Sequence, residues 1–395
     1  LLQFSYINII YVYVYIYIII FIMIIIREKC CICNGNIKYI NTFENYPIKF
    51  TMTKDINYEY NNFKFYKCNT CNTFQLKDLI PLKTLYSDAH NNEVIGKTWM
   101  NHFKNFTEFI NSNCNNLKTV LEIGGPTDKI VKYINNYEKW FLLDPNAIKY
   151  NNDKINCLCE FFNESFKIDC NINTIIHSHL LEHLYNPNEL LSHMNNILCN
   201  DGDMFISVPN MSYYSQTNVP FLGIHFEHTY FLNEANIIYL FNNNNFTIIN
   251  KEYFNNHSIF YHVKKKNNNN ILSIDLIRQY NSSLMHLFNE KIIYFKDLVK
   301  SINKQISDKD SVYLFGCHTN SQMLVYFNLN IKNIICILDN DVSKHNNFFY
   351  GTPLICKSPN ILKDIDTPKV ICYIGIYSNE VREQIKNINN SIIFL

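Results

Sequence analysis

Apolar residues in this chain gather into short β-prone runs separated by polar, asparagine-rich stretches, and the runs recur at the spacing of strands alternating with helices. The run over residues 119–123 ends in Gly124-Gly125, where a strand must turn into a helix. Glycines at such a turn let backbone pass close under a ligand. A second run, 140–143, ends in Asp144, roughly 20 residues after the first, the distance at which such folds hydrogen-bond a ribose. A third, 173–177, leads into His177-Ser178-His179-Leu180-Leu181-Glu182-His183, and a fourth, 203–209, precedes Ile224-His225-Phe226-Glu227-His228-Thr229-Tyr230. An amphipathic helix is predicted over 100–110, ahead of these strands. The pattern is α/β, with a Rossmann-like unit at its centre.

The pattern then repeats. Residues 275–300 read as helix with Leu276, Tyr280, Leu284, Leu287 and Phe288 on one face. Residues 311–315 read as a strand turning at Gly316, 320–327 as a helix, 334–338 as a strand ending in Asp339, and 370–375 as a further strand. Asparagines over 267–270, preceded by Lys264-Lys265-Lys266, mark the boundary between the two series. The expected organisation is a module over 23–80, a central domain over 81–263 and a second Rossmann-like α/β domain over 271–395. At 395 residues the chain is long enough for each to bury a core.

Residues 1–26 are apolar enough to suggest a membrane anchor. The alternation of tyrosine with valine and isoleucine over 11–18 is what a T/A dinucleotide tract would encode, so 1–22 are expected to be non-coding sequence read through, with Met23 as the start. A membrane anchor is the alternative. A net charge of +1, with 17% charged residues, gives no basic field for nucleic acid. Fourteen cysteines without a secretory cleavage pattern fit a reducing cytoplasm.

Some of those cysteines sit at metal spacing. Cys30-Cys31-Ile32-Cys33 and Cys68-Asn69-Thr70-Cys71 are two C-x-x-C knuckles, each able to place two thiolates on one tetrahedral ion. Cys31 leaves open which of the first three sulfurs bind; Cys30 and Cys33 keep the two-residue gap and so join Cys68 and Cys71. Four sulfurs leave no open position, which makes the expected zinc structural, with 43–65 folded around it as a small β-module.

Taken together, Glu122-Ile123-Gly124-Gly125, Asp144 and the His177–Pro187 segment resemble the class I S-adenosylmethionine-dependent methyltransferases. The Glu227-His228 element after the fourth strand, the knuckles before it and the second α/β half after it resemble a narrower group, the zinc-containing sugar C-methyltransferases that act on nucleotide-linked deoxysugars. The resemblance covers nearly everything after Met23. It implies that Glu122 and the Gly124-Gly125 backbone hold the amino acid end of S-adenosylmethionine, Asp144 the ribose, and Glu160 or Phe161 the adenine edge, with His179 and Glu182 beside the sulfonium. Pro126 stands where the family has small or polar residues, which gives this loop its own shape. Tyr86 and His90 are implied to line the substrate cleft, and the nucleotide of a sugar substrate to lie between the two halves.

Carbon methylation needs an enolate, hence a base beside a ketone and donors to hold the oxyanion. An imidazole suits that task. His228 is the expected base, His225 the other candidate, and a role for Glu227 requires a turn there, since neighbours on a strand face opposite ways. Two rival readings remain: an O- or N-methyltransferase of a sugar or other small molecule, and a non-catalytic scaffold.

Overall fold

A computed structural model describes residues 24–49, 52–54, 56, 58–86, 97–114, 117–134, 136–150, 152–265 and 273–395. Residues 1–23, with the expectations placed on them, and His90 lie outside the described residues. No described helix is long and apolar enough to cross a membrane.

Strands β1 (Ile37–Pro47), β2 (Tyr60–Cys68) and β3 (Phe74–Leu76) form an antiparallel sheet next to the knuckles. Helix α1 (Lys97–Asn113) precedes a seven-stranded sheet built from β4 (Leu117–Ile123), β5 (Tyr137–Leu143), β6 (Ile155–Leu158), β7 (Ile172–Ser178), β8 (Leu198–Pro209), β9 (Phe246–Phe254) and β10 (Ser258–Lys265). Its spatial order is β9-β10-β8-β7-β4-β5-β6, with β10 antiparallel to both neighbours and the other pairs parallel. This is a Rossmann-like α/β arrangement with an antiparallel strand inserted near one edge.

Strand alternation explains the two layers on that sheet. Leu121 and Ile123 point to the face covered by α2 (Pro187–Ile197) and α3 (Glu234–Asn243), through Leu191, Met194 and Leu240. Val120 points to the other face, where α1 contributes Phe106, Phe109 and Ile110. The strand order reverses between β4 and β7, and in open α/β sheets the crevice outside the carboxyl ends of the strands at such a switch point is where ligands bind.

Beyond Lys265 the predicted single helix is two, Ile274–Tyr280 and α4 (Leu284–Gln305). The break is tertiary in origin: Asn281 is buried and its amide donates to Cys71 O at 3.1 Å and Thr73 Oγ1 at 3.3 Å. The phase therefore shifts, so that Tyr280 is exposed and the buried face of α4 carries Leu284, Phe288, Phe295, Val299 and Ile302. A second parallel sheet follows, made of β11 (Val312–Phe315), β12 (Ile334–Leu338), β13 (Cys356–Lys357), β14 (Lys369–Cys372) and β15 (Ile393–Phe394) in the order β13-β12-β11-β14-β15. Helix α5 (Thr319–Tyr326) leaves the turn after β11.

The small sheet is bracketed to both halves. Leu76 N donates to Thr229 O and Phe231 N to Phe74 O, so that β3 fixes the segment just after His228. Arg27, buried, clamps the same place by donating to Leu76 O, Tyr185 O, Thr229 O and Thr229 Oγ1. On the other side Met52–Thr53 pairs with Phe348–Phe349. Between them Phe43, Phe63, Phe65, Phe221 and Phe288 form one aromatic core, with centroids of 4.4 Å for Phe63–Phe65 and 4.6 Å for Phe43–Phe221. Such pairs contribute about 0.5–1.5 kcal/mol each beyond burial.

Candidate active site

The switch point of the central sheet and the turns after β11 and β12 open on one cavity of about 990 Å3, lined also by the ends of β5 and β7 and the 223–228 segment. On the central side Gly124 has φ +78°, and a Cβ there would lie 3.3 Å from Leu180 Cδ1. A Cβ on Gly125 would strike Glu122 Oε1 at 2.3 Å. The second glycine is thus demanded by the glutamate beneath it. Glu122 is itself only 2% exposed and accepts from Trp140 Nε1 at 2.9 Å; burial pushes its carboxyl up to about 8. Asp144 ends β5 with Oδ1 accepting from Asn146 N at 2.7 Å. Glu160, exposed, and Phe161, half-buried, lie on the same cavity wall.

The loop after β7 bends sharply. His179 has φ +51°, a left-handed conformation that costs a non-glycine residue about 1–3 kcal/mol, and its N donates to Ser207 O at 2.8 Å. Three residues on, Glu182 is 2% exposed with both carboxylate oxygens lacking a hydrogen-bond partner, and burial pushes its acid up to about 7 although His228 pulls the other way. A buried polar group left unsatisfied is costly, and one that faces a cavity marks a place for a ligand.

Opposite, residues 225–228 form a bend rather than a strand. His225 N donates to His228 O at 3.0 Å, and His225 Nδ1 accepts from the backbone amides of Glu227 at 3.2 Å and His228 at 3.4 Å. That arrangement puts the His225 proton on Nε2 and makes its ring a brace for the turn. The His228 ring packs on the His225 ring with centroids 4.0 Å apart, its Nε2 lies 3.1 Å from His183 Nε2, and His183 Nδ1 lies 2.5 Å from Tyr86 Oη. Tyr86, His183 and His228 therefore form a continuous hydrogen-bonded line along the cavity wall. Glu227 is 7% exposed and also borders the cavity.

His183 was not singled out by sequence. Its signal was present in the run His179-Leu180-Leu181-Glu182-His183, where a one-turn 3-10 helix (Leu181–His183) carries Glu182 and His183 at the cavity. Also missed were His102 on α1 and His257 in the β9–β10 turn, which meet His179 at ring-centroid distances of 5.3 and 5.4 Å. Burial lowers His179 and His257 to about 3 and holds His102 well below the ordinary imidazole value, so all three are neutral.

Among the described residues three sets could hold a metal ion: Cys30, Cys33, Cys68 and Cys71; His102, His179 and His257; and Glu182, His183 and His228. In the cysteine set Cys30 Sγ lies 3.6 Å from Cys71 Sγ and Cys33 Sγ 3.5 Å from Cys68 Sγ. The two knuckles have matching backbones. Asn34 N donates to Cys30 O and Asn72 N to Cys68 O, with both asparagines at positive φ, 58° and 59°. Thr70 N and Cys71 N donate to Cys68 Sγ, a pattern that favours thiolate. Four converging thiols with amide donors to sulfur suit a tetrahedral zinc. Cys31 is outside the set, and burial pushes its thiol up to about 12.

Residues 100–251 match a family profile described as a methyltransferase domain. No curated protein matches the chain. Among solved structures, the chain resembles the 1,6-didemethyltoxoflavin-N1-methyltransferase of Burkholderia thailandensis, with 12% identity over 42% of this chain and 78% of that one and a TM-score of 0.34. It also resembles the magnesium protoporphyrin IX methyltransferase of Synechocystis PCC 6803, with 13% identity, 46% and 91% coverage and a TM-score of 0.34. An S-adenosylmethionine-dependent methyltransferase of Clostridium acetobutylicum gives 12%, 42%, 92% and 0.34. These likenesses say nothing of the substrate.

Proposed function

We propose that this chain, whose residues 100–251 match a methyltransferase profile, transfers the methyl group of S-adenosylmethionine, and that the acceptor is a ring carbon beside the ketone of a nucleotide-linked keto-deoxysugar. The observation that carries this reading is the Tyr86–His183–His228 line, a built path for a proton on the wall opposite the glycine turn. Transfer to a hydroxyl or amine asks for one base at most. An enolate asks for a base and for groups that carry its proton away and steady the oxyanion.

The donor fits the central switch point. Gly124, Gly125, Asp144, Glu160, Phe161, His179 and Glu182 all line the cavity, and in this reading the glycine turn passes under the donor, Asp144 holds its ribose, Glu160 and Phe161 meet the adenine, and His179 and Glu182 flank the sulfonium. Bound there, S-adenosylmethionine supplies an electrophilic methyl group. The residues of the chain do the rest. In this reading His228 takes the proton beside the ketone at Nδ1, its Nε2–H donates to His183 Nε2, and His183 Nδ1–H donates to Tyr86 Oη, which leaves that hydroxyl's own proton to donate to the oxyanion. His225 holds the turn through its Nδ1, and Glu227 borders the same space. Holding acceptor and donor at near-attack distance supplies most of the acceleration. The nucleotide of the sugar lies toward the C-terminal half, and a structural zinc held by Cys30, Cys33, Cys68 and Cys71 keeps β3, and so the His228 turn, in place.

Exchange of the hydrogen beside the ketone in heavy water tests this directly. With a 4-keto-6-deoxysugar nucleotide, wild type should catalyse the exchange, and His228→Ala should lose 10²–10⁴-fold in both exchange and methylation while still binding donor. His225→Ala should lose less, because its Nδ1 braces the turn. Methylation of a sugar without a ketone, with no exchange in wild type, would make this an O- or N-methyltransferase instead.

A further inference from the structure

The reaction above uses His179 only as a neighbour of the donor, and the cluster it forms with His102 and His257 has the construction of a metal site. Three imidazoles from α1, the loop after β7 and the β9–β10 turn offer ligand atoms that all lie within 4.8 Å of one another. Two rings have one nitrogen committed outward, His102 Nε2 to Ser207 Oγ at 2.8 Å and His257 Nε2 to Tyr377 Oη at 3.2 Å, and in the third His179 Nδ1 lies 3.3 Å from Glu182 Oε1 without a hydrogen bond between them. Metal-ligating histidines present this arrangement, the second nitrogen fixed by a hydroxyl or carboxylate that sets tautomer and ring orientation.

The inward nitrogens are then His102 Nδ1, His179 Nε2 and His257 Nδ1. The first is buried without any hydrogen-bond partner in a residue that is 0% exposed, an expensive omission for a ring that serves packing alone. The other two both meet Ser258 Oγ, at 2.9 and 2.6 Å, so one small hydroxyl stands between them. Ser258 Oγ can donate to one nitrogen and accept from the other, so it holds both rings turned inward, while His102 Nδ1 is left without a partner. The left-handed backbone of His179 adds a strained residue at the same point. Trp99 stands edge-on to all three rings, at 5.1, 4.9 and 4.7 Å, and excludes water from that side.

We propose that His102, His179 and His257 bind a divalent first-row transition ion, zinc or a metal of similar imidazole preference, separate from the four-cysteine site. Three nitrogens leave a fourth position, and since His179 and His257 both line the cavity it opens there to water or to an oxygen of the acceptor. The ion would also tie three distant elements together at the wall where the donor is expected.

Cobalt(II) titration of the full-length, metal-stripped protein tests this without any variant. One class of ion should show thiolate-to-cobalt charge transfer, and one further equivalent should add only visible ligand-field bands. In His102→Ala and His257→Ala that further equivalent should be lost while the thiolate band persists, which reports an intact cysteine module. Absence of any non-thiolate cobalt in wild type overturns the proposal. So does its retention in both variants, or its loss in His183→Ala alone, which would move the ion to Glu182, His183 and His228.

Discussion

The two Rossmann-type halves face each other across one cavity with the same parts in the same order, yet the parts are spent differently. Each has a glycine at positive φ after its first strand, Gly124 at 78° and Gly316 at 97°, and each has an acid after its second, Asp144 and Asp339. In the C-terminal half Asp339 is engaged by its own domain: Oδ2 accepts from Cys317 N at 2.9 Å and Lys344 Nζ at 3.1 Å, and Oδ1 from Asp341 N at 2.9 Å. A Cβ on Gly316 would meet Ile374 Cγ2 at 2.6 Å, so an apolar side chain fills that crevice. Two residues before the glycine the central half has Glu122 and the C-terminal half Leu314. Shared topology has thus produced two turns with different side chains beneath and around them, and function follows the side chains rather than the fold.

The largest expected effect probes what supports the central half. Cys68→Ser should abolish metal retention in the cysteine module, where binding and folding are coupled by ~10 kcal/mol or more. Because β3 holds Thr229 and Phe231 through backbone hydrogen bonds, residues 225–231 should lose protection in hydrogen exchange. Strands β11, β12 and β14 contribute no sulfur to the site and should keep theirs. Equal loss in both regions would mean that the module supports the two halves alike.

A smaller effect separates the two acids. Asp144→Ala should weaken S-adenosylmethionine binding by roughly 1.5–3 kcal/mol, the range for hydrogen bonds to a charged group. Asp339→Ala should leave donor affinity unchanged and lower the melting temperature, since it strips Lys344 and two backbone amides of their acceptor. Calorimetry that finds donor affinity lost with Asp339, or kept without Asp144, would reverse the assignment of the halves.

How much of this could be read from residues alone depends on how local each feature is. Strand ends marked by Gly124, Asp144 and Gly316 were legible because an apolar run and the turn after it are neighbours in sequence. The C-x-x-C pairs were legible for the same reason. Illegible features came from distant partners. Asn281 breaks a helix because Cys71 and Thr73 accept its amide, and the 275–300 periodicity contains no trace of that contact. His102 and His257 sit on elements whose own patterns are ordinary, and only the sheet brings them to His179. The distinction between His225 and His228 required a backbone bend, since which ring nitrogen accepts from which amide is not a property of composition.

The smallest effect concerns Glu122, for which Leu314 is the counterpart that cannot titrate. Burial raises the Glu122 carboxyl to about 8 from an ordinary value of 4.5, with the Trp140 hydrogen bond opposing the shift. Below pH 4.5 the folded and unfolded chains are both protonated at this residue, and its contribution to stability is fully present. Between 4.5 and 8 the unfolded chain ionises first, so unfolding releases a proton and stability falls as pH rises. Above 8 both forms are ionised and the loss is complete. One unit of difference is worth about 1.4 kcal/mol, and with relaxation around the buried group a total on the order of 2 kcal/mol is expected. Glu122→Gln keeps an acceptor for Trp140 and removes the titration. Glu182 titrates in both proteins and cancels in the comparison. Urea unfolding at pH 5, 6.5, 8 and 9.5 should therefore show the variant gaining on wild type as pH rises and levelling above 8. Parallel curves would mean that Glu122 is already ionised in the fold, and the central half would then carry a buried carboxylate ready for a cationic ligand without any proton loss.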